Sequence, residues 1–525
     1  MKNEIYIEKF FTSSFNPSTG EELGKFEITL EDELNRVITN ARIAQTEWAN
    51  LSVEERANKL KPVASYIADN SETLAQAISN ENGKVLVDAL ATEVFPSALA
   101  VNYYCKNAKR FLKKKRIKSG NWLLSYKRSY LRKIPCGVVA VISPWNYPFG
   151  IPFHDIITAL LSGNAVILKT ANQSLLIGEA LVKTFKIAEL PEGLFTLVNM
   201  RGSEFGKIIF EQGIDKVFFT GSVSVGKELL KNAAQSLTPV SLELGGNDAM
   251  IVCEDADLDR AVNGAVWAAF QNSGQSCGGV ERIYVQENVY EEFVTKLTEK
   301  TASLKLNSAI NQEIEIGCMT TKDQRIIVEE HIADAVEKGA EVFRTQPESQ
   351  LPVSHLSPAI LTNVNHTMLA MSEETFGPTV GVMKFKNIDE AIKLANDSTY
   401  GLTGSVWSRN RKKAKKIAEQ INAGAVLIND HLMSHGLAET PWGGFKDSGG
   451  SRSHGEFSFN SMTQTQVIVD DLLSFTKKEL WWHPFSKKLF DGLKGILEFQ
   501  FSTSIEKKVT GLTAFLKIVM RVFKK

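Results

Sequence analysis

The chain has 525 residues, 43% of them hydrophobic, and its 60 Lys and Arg residues balance 60 Asp and Glu residues. A zero net charge gives no electrostatic reason to expect nucleic-acid binding, and no apolar run reaches the roughly 18 residues that cross a bilayer. Five scattered cysteines show neither a CxxC pair nor zinc-like spacing, so we predict no metal site and a reducing, cytoplasmic compartment. The first residues also lack the apolar segment of a signal peptide.

The first part of the chain is predicted to be extended, then helical, then extended again. Residues 1–30 look extended around a turn at 16–20, and residues 30–116 follow a helical pattern. Residues 121–132 predict an exposed strand, with which the distant run 464–470 could pair. Because both strands would lie outside the main sheets, we interpret them as an oligomerisation arm.

Two blocks of alternating strand-like and helical segments follow, as is typical of doubly wound parallel sheets. A chain of this length is expected to form two or three domains. Ligands on such sheets bind beyond the carboxyl ends of the strands, so functional residues are expected there. The apolar runs of the first block are 137–142, 165–168, 194–198, 216–220 and 240–244, and those of the second are 249–252, 282–285, 379–385, 403–407 and 425–429.

A polar, glycine-rich loop at residues 272–279 carries Cys277 between a helical stretch, 258–271, and a strand-like run. A lone cysteine is by default a small buried hydrophobe. Here the neighbours are Gly, Ser, Gln and Asn, which leave the sulfur approachable and bring backbone N–H groups close to it. We therefore interpret Cys277 as a nucleophile rather than a packing residue.

Asn146 and Glu243 each follow or end a predicted strand. Asn146 lies in a loop stiffened by two prolines and could present its amide as a donor, although a turn-forming role alone would be the simpler interpretation. Glu243 lies on the opposite strand face from Leu242 and Leu244. Apolar walls there would raise its pKa towards that of a general base, and a surface glutamate is the alternative.

Two further positions have the chemistry of a nucleotide site. Lys169 ends a strand and could reach a hydroxyl or a phosphate, although many strands simply end in lysine. Gly221 and Ser222 precede a helix whose first N–H groups would suit a phosphate. The motif is neither GxGxxG nor a P-loop, so by itself it is a weak signal.

Together these segments resemble the aldehyde dehydrogenase superfamily, in order and in spacing, over residues 5–470. Glu243 and Cys277 lie 34 positions apart, as in the hydrolytic members of that family. The matching segments are Pro144-Trp145-Asn146, Leu168-Lys169, Phe219 to Ser222, Leu242 to Gly246, Gly274 to Cys277, Glu374 to Pro378 and the glycine-rich run from Pro441 to Gly449.

The resemblance implies an α/β fold with two doubly wound Rossmann-like domains, a small β oligomerisation arm and a C-terminal amphipathic helical tail. A homodimer or homotetramer is expected. The implied ranges are 1–120 and 133–246 for the dinucleotide-binding domain, 247–460 for the catalytic domain, 121–132 and 461–471 for the arm, and 472–525 for the tail.

The resemblance also implies oxidation of an aldehyde to its acid with NAD or NADP. The Cys277 thiolate would attack the aldehyde carbon, while the Asn146 amide and the Cys277 N–H would hold the oxyanion. After hydride transfer, Glu243 would activate the water that hydrolyses the thioester.

Positions for the cofactor and for an aldehyde tunnel follow from the same resemblance. Asn172 stands where many NAD-preferring members carry Glu; it would not repel a 2′-phosphate, so NADP is expected as well as NAD. The implied cofactor residues are Ile142, Pro144, Trp145, Lys169, Asn172, Gly221, Ser222, Val225, Leu244, Glu374 and Phe376. The implied tunnel residues are Tyr147, Ile151, His154, Ser276, Gly278, Met433 and Ser434.

Several functional alternatives remain open at this point. Without an assured Arg to clamp a carboxylate, an apolar medium- or long-chain aldehyde is favoured over a semialdehyde acid. CoA-acylating relatives usually lack the glutamate base, so Glu243 argues against that reaction. A non-catalytic membrane-associated scaffold would be favoured by loss of Cys277, Glu243 or Asn146, and all three are present.

The tail has a composition of its own. Residues 477–525 contain 11 Lys and Arg residues against 4 Asp and Glu residues. Apolar residues from Val509 to Phe523 recur at helical spacing between basic ones, a pattern that favours peripheral attachment to the cytosolic face of a membrane. The alternative is a helix that packs on the enzyme or on a neighbouring subunit.

Overall fold

The computed structural model describes residues 10–307, 313–347 and 351–523. Parts of two predicted segments, residues 1–9 of the extended N-terminus and 524–525 of the tail, lie outside the described residues. The described chain divides into two compact units. The main unit comprises the residues up to Leu112 and from Ile134 to Gln464, and the tail unit comprises Lys113–Lys133 and the residues from Thr465 onward.

Parallel strands dominate the main unit. Its strands and those of the tail unit are β1 Phe11–Phe15, β2 Glu22–Glu27, β3 Lys115–Ile117, β4 Lys127–Pro135, β5 Val138–Ile142, β6 Ala165–Lys169, β7 Phe195–Leu197, β8 Lys216–Thr220, β9 Val240–Glu243, β10 Asp248–Val252, β11 Val280–Gln286, β12 Glu341–Arg344, β13 Ala359–Thr362, β14 Thr379–Phe385, β15 Thr403–Trp407, β16 Ala425–Ile428 and β17 Thr463–Asp471.

Within the described residues, one sheet has the strand order β7-β6-β5-β8-β9, and all of its pairs are parallel. A larger sheet has the order β12-β13-β14-β11-β10-β15-β16, in which β12 runs antiparallel to β13 and the other described pairs are parallel. The predicted pair of doubly wound α/β sheets is confirmed. A hairpin, β1-β2, and a sheet in the order β17-β4-β3 complete the strands.

Helices cover both parallel sheets. They are α1 Glu31–Ala49, α2 Val53–Leu60, α3 Pro62–Asp69, α4 Ser71–Asn82, α5 Leu86–Ala89, α6 Phe95–Leu112, α7 Gly150–Ser162, α8 Leu175–Phe185, α9 Gly202–Glu211, α10 Val223–Ala233, α11 Leu258–Phe270, α12 Tyr290–Ala302, α13 Lys322–Glu337, α14 Leu369–Ser372, α15 Ile388–Asn396, α16 Arg411–Ala418, α17 Met433–Gly436, α18 Gly455–Ser461, α19 Lys487–Phe501 and α20 Ile505–Val519.

The predicted boundaries were wrong in three places. The helical region 30–116 is divided at several points, one of them the left-handed Gly83, and ends at Leu112. The exposed strand expected at 121–132 begins only at Lys127, because the Asn121 side chain accepts a bond from the Leu123 N–H and starts a 3₁₀ turn. The short strands β12 and β13 were not predicted. The pairing of the 464–470 run with the earlier strand is confirmed, since β17 lies beside β4.

Burial explains why the strands of the parallel sheets are continuous apolar runs in the amino-acid sequence. Strands β5 and β6 are almost wholly buried, since helices cover both faces of such a sheet. Helix α7 is also almost wholly buried, and it connects the two strands. Polar residues on these elements are therefore placed in the interior, where they need partners or a function.

Among the described residues, no single helix is long and apolar enough to cross a membrane. Two segments bent by 119° at their junction, Ser71–Asn82 and Leu86–Leu112, reach that length and composition only together. Both contribute side chains to the core of the main unit.

Two helices of similar length, α19 and α20, form a close hairpin in the tail unit. A Cβ at Gly495 would collide with the backbone of Gly511, so glycine lets the two helices approach. Their shared core is small and includes Leu489, Ile496 and Ile518. Much apolar surface remains exposed on the outside, at Phe490, Leu497, Phe501, Ile505, Val509, Leu516 and Met520.

Candidate active site

Cys277 lies on a loop that is shaped by three consecutive left-handed residues. Asn272, Ser273 and Gly274 follow α11 with φ values of 51°, 54° and 70°. A Cβ at residue 274 would collide with the carbonyl of Gly377, so only glycine fits there. The loop leaves the Cys277 side chain half-buried.

Side-chain amides fix this loop against the loop that carries Asn146. Nδ2 of Asn272 donates to the Asn146 carbonyl at 2.9 Å and to the Gln275 carbonyl at 3.2 Å. Nδ2 of Asn146 donates to the same Gln275 carbonyl at 3.0 Å. An amide nitrogen carries two hydrogens, so Asn146 can donate a second bond to an oxyanion formed at Cys277.

Cys277 and Glu243 share a small cavity, which we call the base cavity. Its volume is about 20 Å³, enough for a water molecule. Neither carboxylate oxygen of Glu243 has a hydrogen-bond partner within the described part of the chain. A Cβ at residue 443 would lie 2.9 Å from Oε1 of Glu243, so Gly443 leaves the space that this carboxylate occupies. A free, buried carboxylate beside room for water has the geometry of a general base.

Burial and neighbouring acids set the proton affinities of both groups. Burial first, and then Asp155, raise the pKa of Glu243 well above its usual value, while Arg452 opposes them. Burial and then the carboxyl groups of Glu374, Asp248 and Glu243 raise the pKa of the Cys277 thiol. The thiol is therefore protonated at neutral pH, and its activation requires a base.

A polar cleft of about 270 Å³ also reaches Cys277. At one wall, Ser222 caps α10 by accepting a bond from the Val225 N–H, and the first N–H groups of that helix suit an anion. At another, Glu374 accepts a bond from the Gly246 N–H at 3.1 Å. The predicted cofactor residues that line this cleft are Pro144, Trp145, Gly221, Ser222, Leu244, Glu374 and Phe376.

Four predicted cofactor residues, Ile142, Lys169, Asn172 and Val225, lie outside this cleft. Lys169 is buried, and its Nζ donates to Oδ1 of Asn172 at 3.4 Å. Burial lowers the pKa of Lys169 to about 8, and among the described residues no carboxylate forms an ion pair with it. A buried cation without an anion is costly, so a hydroxyl or phosphate of a nucleotide fits this position. The site is compatible with NAD or NADP.

An apolar tunnel of about 290 Å³ is the third cavity that Cys277 lines among the described residues. At its outer end Val87, Phe95, Leu99 and Met433 are exposed. None of the described residues that line it is Arg or Lys. The one carboxylate on its wall, Asp88, accepts the Asn272 N–H, and burial raises its pKa. The tunnel thus offers an apolar path to the sulfur and no cation.

Five predicted tunnel residues, Tyr147, Ile151, Ser276, Gly278 and Met433, line this tunnel. The other two differ from the prediction. His154 lines the base cavity instead, about one turn of α7 beyond Ile151, which lines both cavities. Ser434 is buried and lines neither cavity, since the short helix α17 turns Met433 to the tunnel and the next residue inward.

Much of the tunnel wall was not predicted from the sequence. Residues recurring at every fourth position of the helical region line one side, and this stripe could have been recognised as apolar surface away from the core. Those residues are Val87, Ala91, Phe95 and Leu99. Trp267, His435 and Trp442 in the tunnel, and Gln324 and Ile327 in the cleft, come from distant segments for which the sequence carries no local signal.

Comparisons with known proteins agree with this geometry. The model of the aldehyde dehydrogenase family matches residues 8–468. The chain is 37% identical over 489 residues to 4,4′-diapolycopene aldehyde oxidase from Methylomonas sp., a match that covers 93% of this chain and 91% of that protein. It is 36% identical over 442 residues to a probable NADP(+) succinate-semialdehyde dehydrogenase from Sinorhizobium fredii, covering 83% and 88% of the two chains.

Solved structures give the same result. The NAD+ complex of an aldehyde dehydrogenase from Bacillus cereus matches with a TM-score of 0.83 and 32% identity, over 88% of this chain and 93% of that one. A family match of this length, together with the shared fold, leaves one conclusion. The chain belongs to the aldehyde dehydrogenase family and is an NAD(P)-dependent oxidoreductase that acts on aldehydes.

Proposed function

We propose that this enzyme oxidises a long, apolar aldehyde to the free carboxylic acid. The observation that carries the proposal is the apolar tunnel, which reaches Cys277 without an Arg or Lys among its described lining residues. An aldehyde bearing a second carboxylate would lose its hydration in this tunnel and meet Asp88 rather than a cation. Semialdehyde acids are therefore disfavoured, although several relatives carry that name.

The relatives offer a second line of support. A match that covers 93% of the chain must extend beyond residue 468, where the family model ends, and into the tail. The protein matched there is named for diapolycopene aldehyde, and its match covers more of this chain than those of the semialdehyde dehydrogenases above. The relative named for diapolycopene aldehyde therefore shares at least the beginning of the tail.

Three residues carry the proposed reaction. Cys277 forms a thiohemiacetal with the aldehyde and then a thioester, and Asn146 donates to the oxyanion with the Cys277 N–H. NAD or NADP supplies the hydride acceptor. Glu243 takes a proton from the water that attacks the thioester, and Cys277 leaves as the thiolate. Transfer to CoA in place of water is disfavoured by the free carboxylate and the room for water in the base cavity.

NADP is the proposed preferred cofactor. Lys169 lies beside the amide of Asn172 rather than beside a carboxylate, so a 2′-phosphate would find a cation and no repulsion. A preference for NADP favours neither an apolar aldehyde nor a semialdehyde acid as the substrate.

The tail unit supports two partner proposals. Exposed apolar stripes on α19 and α20, with basic residues between them, would attach the enzyme to the cytosolic face of an anionic membrane. The edge strand β17 exposes Val467, Ile468 and Val469, and an unpaired apolar edge is a template for a second copy of the chain. A homodimer or homotetramer would cover it.

The test is a set of initial rates of nicotinamide reduction by the full-length protein, with Cys277→Ala as the blank. Hexanal, decanal, hexadecanal and succinic semialdehyde are compared under NAD and under NADP. We expect kcat/KM to rise with chain length and to be lowest for the semialdehyde. A preference for the semialdehyde, or a rate that requires added CoA, would refute the proposal.

A further inference from the structure

Asp155 is a half-buried acid that the reaction described above does not use. It lies on α7, whose other residues are all buried. Its main-chain carbonyl accepts a bond from the Thr158 hydroxyl at 3.3 Å, but within the described part of the chain nothing hydrogen-bonds to its carboxylate. A structural aspartate in such a place would cap a helix or pair with a cation, so the free carboxylate needs another explanation.

The position of Asp155 between two cavities supplies an explanation for its free carboxylate. Its side chain lines the base cavity together with Glu243 and Cys277. It also lines, again with Glu243, a second cavity of about 10 Å³, which we call the rear cavity and which has room for about one water molecule. Hydroxyl groups surround the rear cavity, from Thr220, Ser241, Ser451, Ser453, Ser458 and Ser461. A water there would find donors and acceptors between the two acids.

The charges around the two acids favour a shared proton. Burial raises the pKa of Asp155 to about 7, with Lys216 opposing, and Asp155 in turn raises the pKa of Glu243. Arg452 faces Glu243 but donates to the carbonyls of Gly444 and Ser451. The two carboxyls line the same two cavities with little compensating positive charge, so the ionised form of one raises the proton affinity of the other.

Neighbouring histidines do not compete for this proton. His154 and His454 stack at 4.0 Å between ring centres, and His154 shares a hydrogen bond with the Tyr104 hydroxyl. Burial lowers the pKa of His154 to about 3 and that of His435 to about 4, and it lowers that of His454 as well. The titratable and charged groups that face the two acids are therefore Tyr104, His154, Lys216, Cys277, His435, Arg452 and His454, and the imidazoles stay neutral at pH 7.

We propose that Asp155 accepts, through a water in the rear cavity, the proton that Glu243 removes from the hydrolytic water. The inference rests on the proposed thioester hydrolysis. The water oxygen bonds to the thioester carbon, and one proton of that water moves to Glu243. The C–S bond then breaks, so that the acid is released and Cys277 leaves as thiolate. The proton passes from Glu243 to Asp155 and from there to solvent, and Glu243 is a carboxylate again for the next turnover.

The test uses p-nitrophenyl acetate, which can acylate Cys277 without an aldehyde or a cofactor. The burst of nitrophenolate measures acylation, and the steady-state rate measures deacylation. In Asp155→Asn we expect an intact burst and a steady-state rate lowered by about 10²-fold. Asp155→Glu keeps the acid and should recover most of the rate. Failure of the long-aldehyde proposal would leave this assay unaffected.

The pH profile separates a proton acceptor from a structural residue. In the wild type the deacylation rate should fall as pH drops below about 7, where Asp155 becomes protonated and no longer accepts a proton. Asp155→Asn removes the charge that raises the pKa of Glu243, so this limb should move to lower pH. Lys216→Met removes a cation beside Asp155, so the limb should move to higher pH.

Either of two results would overturn the inference. One is an Asp155→Asn variant with the wild-type deacylation rate and an unmoved pH limb. The other is a variant that loses burst and steady state together and is not rescued by Asp155→Glu, which would make Asp155 a structural residue. A rate of nitrophenolate release that is the same in Cys277→Ala as in the wild type would refute the acyl-enzyme route itself.

Discussion

The polar cleft and the apolar tunnel both end at the Cys277 sulfur, but different kinds of groups line them. The cleft is formed by strand ends, a helix N-terminus and backbone groups around Gly221, Ser222 and Gly245. The tunnel is formed by side chains of α6 and α11 and of the loop around Met433. Backbone groups in the cleft suit a nucleotide cofactor, and the apolar side chains of the tunnel suit an apolar substrate. We therefore expect the cleft to control cofactor binding and the tunnel to control substrate choice, each independently of the other.

The largest effect is expected where the two paths meet. Cys277→Ala should lower aldehyde oxidation by about 10⁴-fold or more, because no thioester can form. Glu243→Gln should lower the steady-state rate by about 10²-fold or more, because hydrolysis of the thioester requires this base, and a surviving burst of nicotinamide reduction would show that another base activates the thiol. Stopped-flow absorbance at 340 nm measures both. A Glu243→Gln variant without a burst would mean that Glu243 also activates the thiol.

A cation placed in the tunnel should change the substrate and not the cofactor. In Thr92→Arg, kcat/KM for hexadecanal should fall by about 10²-fold while succinic semialdehyde becomes a better substrate, because a guanidinium can pair with its carboxylate. Thr92→Val is the matched control and should keep the preference for long chains. Steady-state rates with both aldehydes decide the outcome, and a changed KM for NADP would contradict the independence of the two paths.

A carboxylate at the nucleotide site should change the cofactor preference and not the substrate. Asn172→Glu should lower the NADP to NAD preference by about tenfold or more, since the new charge lies beside Lys169 and repels a 2′-phosphate. Asn172→Gln is the neutral control. Rates with each cofactor at a fixed decanal concentration provide the measurement. An altered chain-length preference would contradict the independence of the cleft and the tunnel.

Cofactor binding should weaken at alkaline pH. Burial lowers the pKa of Lys169 to about 8, so its ammonium is present below that pH and is lost above it. The Kd for NADP, from quenching of protein fluorescence, should be flat below pH 8 and rise up to tenfold per pH unit above it. Lys169→Gln should bind weakly at every pH. A wild-type Kd that stays flat to pH 9.5 would show that this amine does not hold the phosphate.

The smallest effect on catalysis is expected from the tail. Leu497→Asp with Leu516→Asp should lower binding to anionic vesicles by about tenfold, because two exposed leucines lose their apolar contact with lipid. Rates with hexanal in solution should not change, and rates with hexadecanal in vesicles should fall. Thr510→Asp with Thr513→Asp adds the same charge at two exposed polar positions of α20 and is the control. Equal binding of all three to vesicles would return the tail to a packing role.

Several features followed from the sequence alone, for a local reason. A parallel sheet buried on both faces requires apolar runs. Strands such as Val138–Ile142 and Thr379–Phe385 could therefore be predicted without knowing which strands they pair with. The loop around Cys277 and the residues at strand ends could also be interpreted, because their function was predicted from residues adjacent in sequence. The strand 121–132 was misplaced because Trp122, Leu123 and Leu124 are apolar but lie in a turn set by Asn121.

The tertiary structure decided the features that depend on which segments meet. Tunnel walls at Trp267 and Leu437 come from elements far apart in sequence, and no local pattern links them. Asp155 is one acid on an apolar helix, and only its shared cavities with Glu243 distinguish it from a polar residue facing solvent. The sequence by itself determined the family and the class of reaction, because the proposed nucleophile, oxyanion donor and base are motif residues at strand and helix ends. Folding decided the shape of the tunnel and the proton environment of Glu243, because burial and distance exist only once the chain has packed.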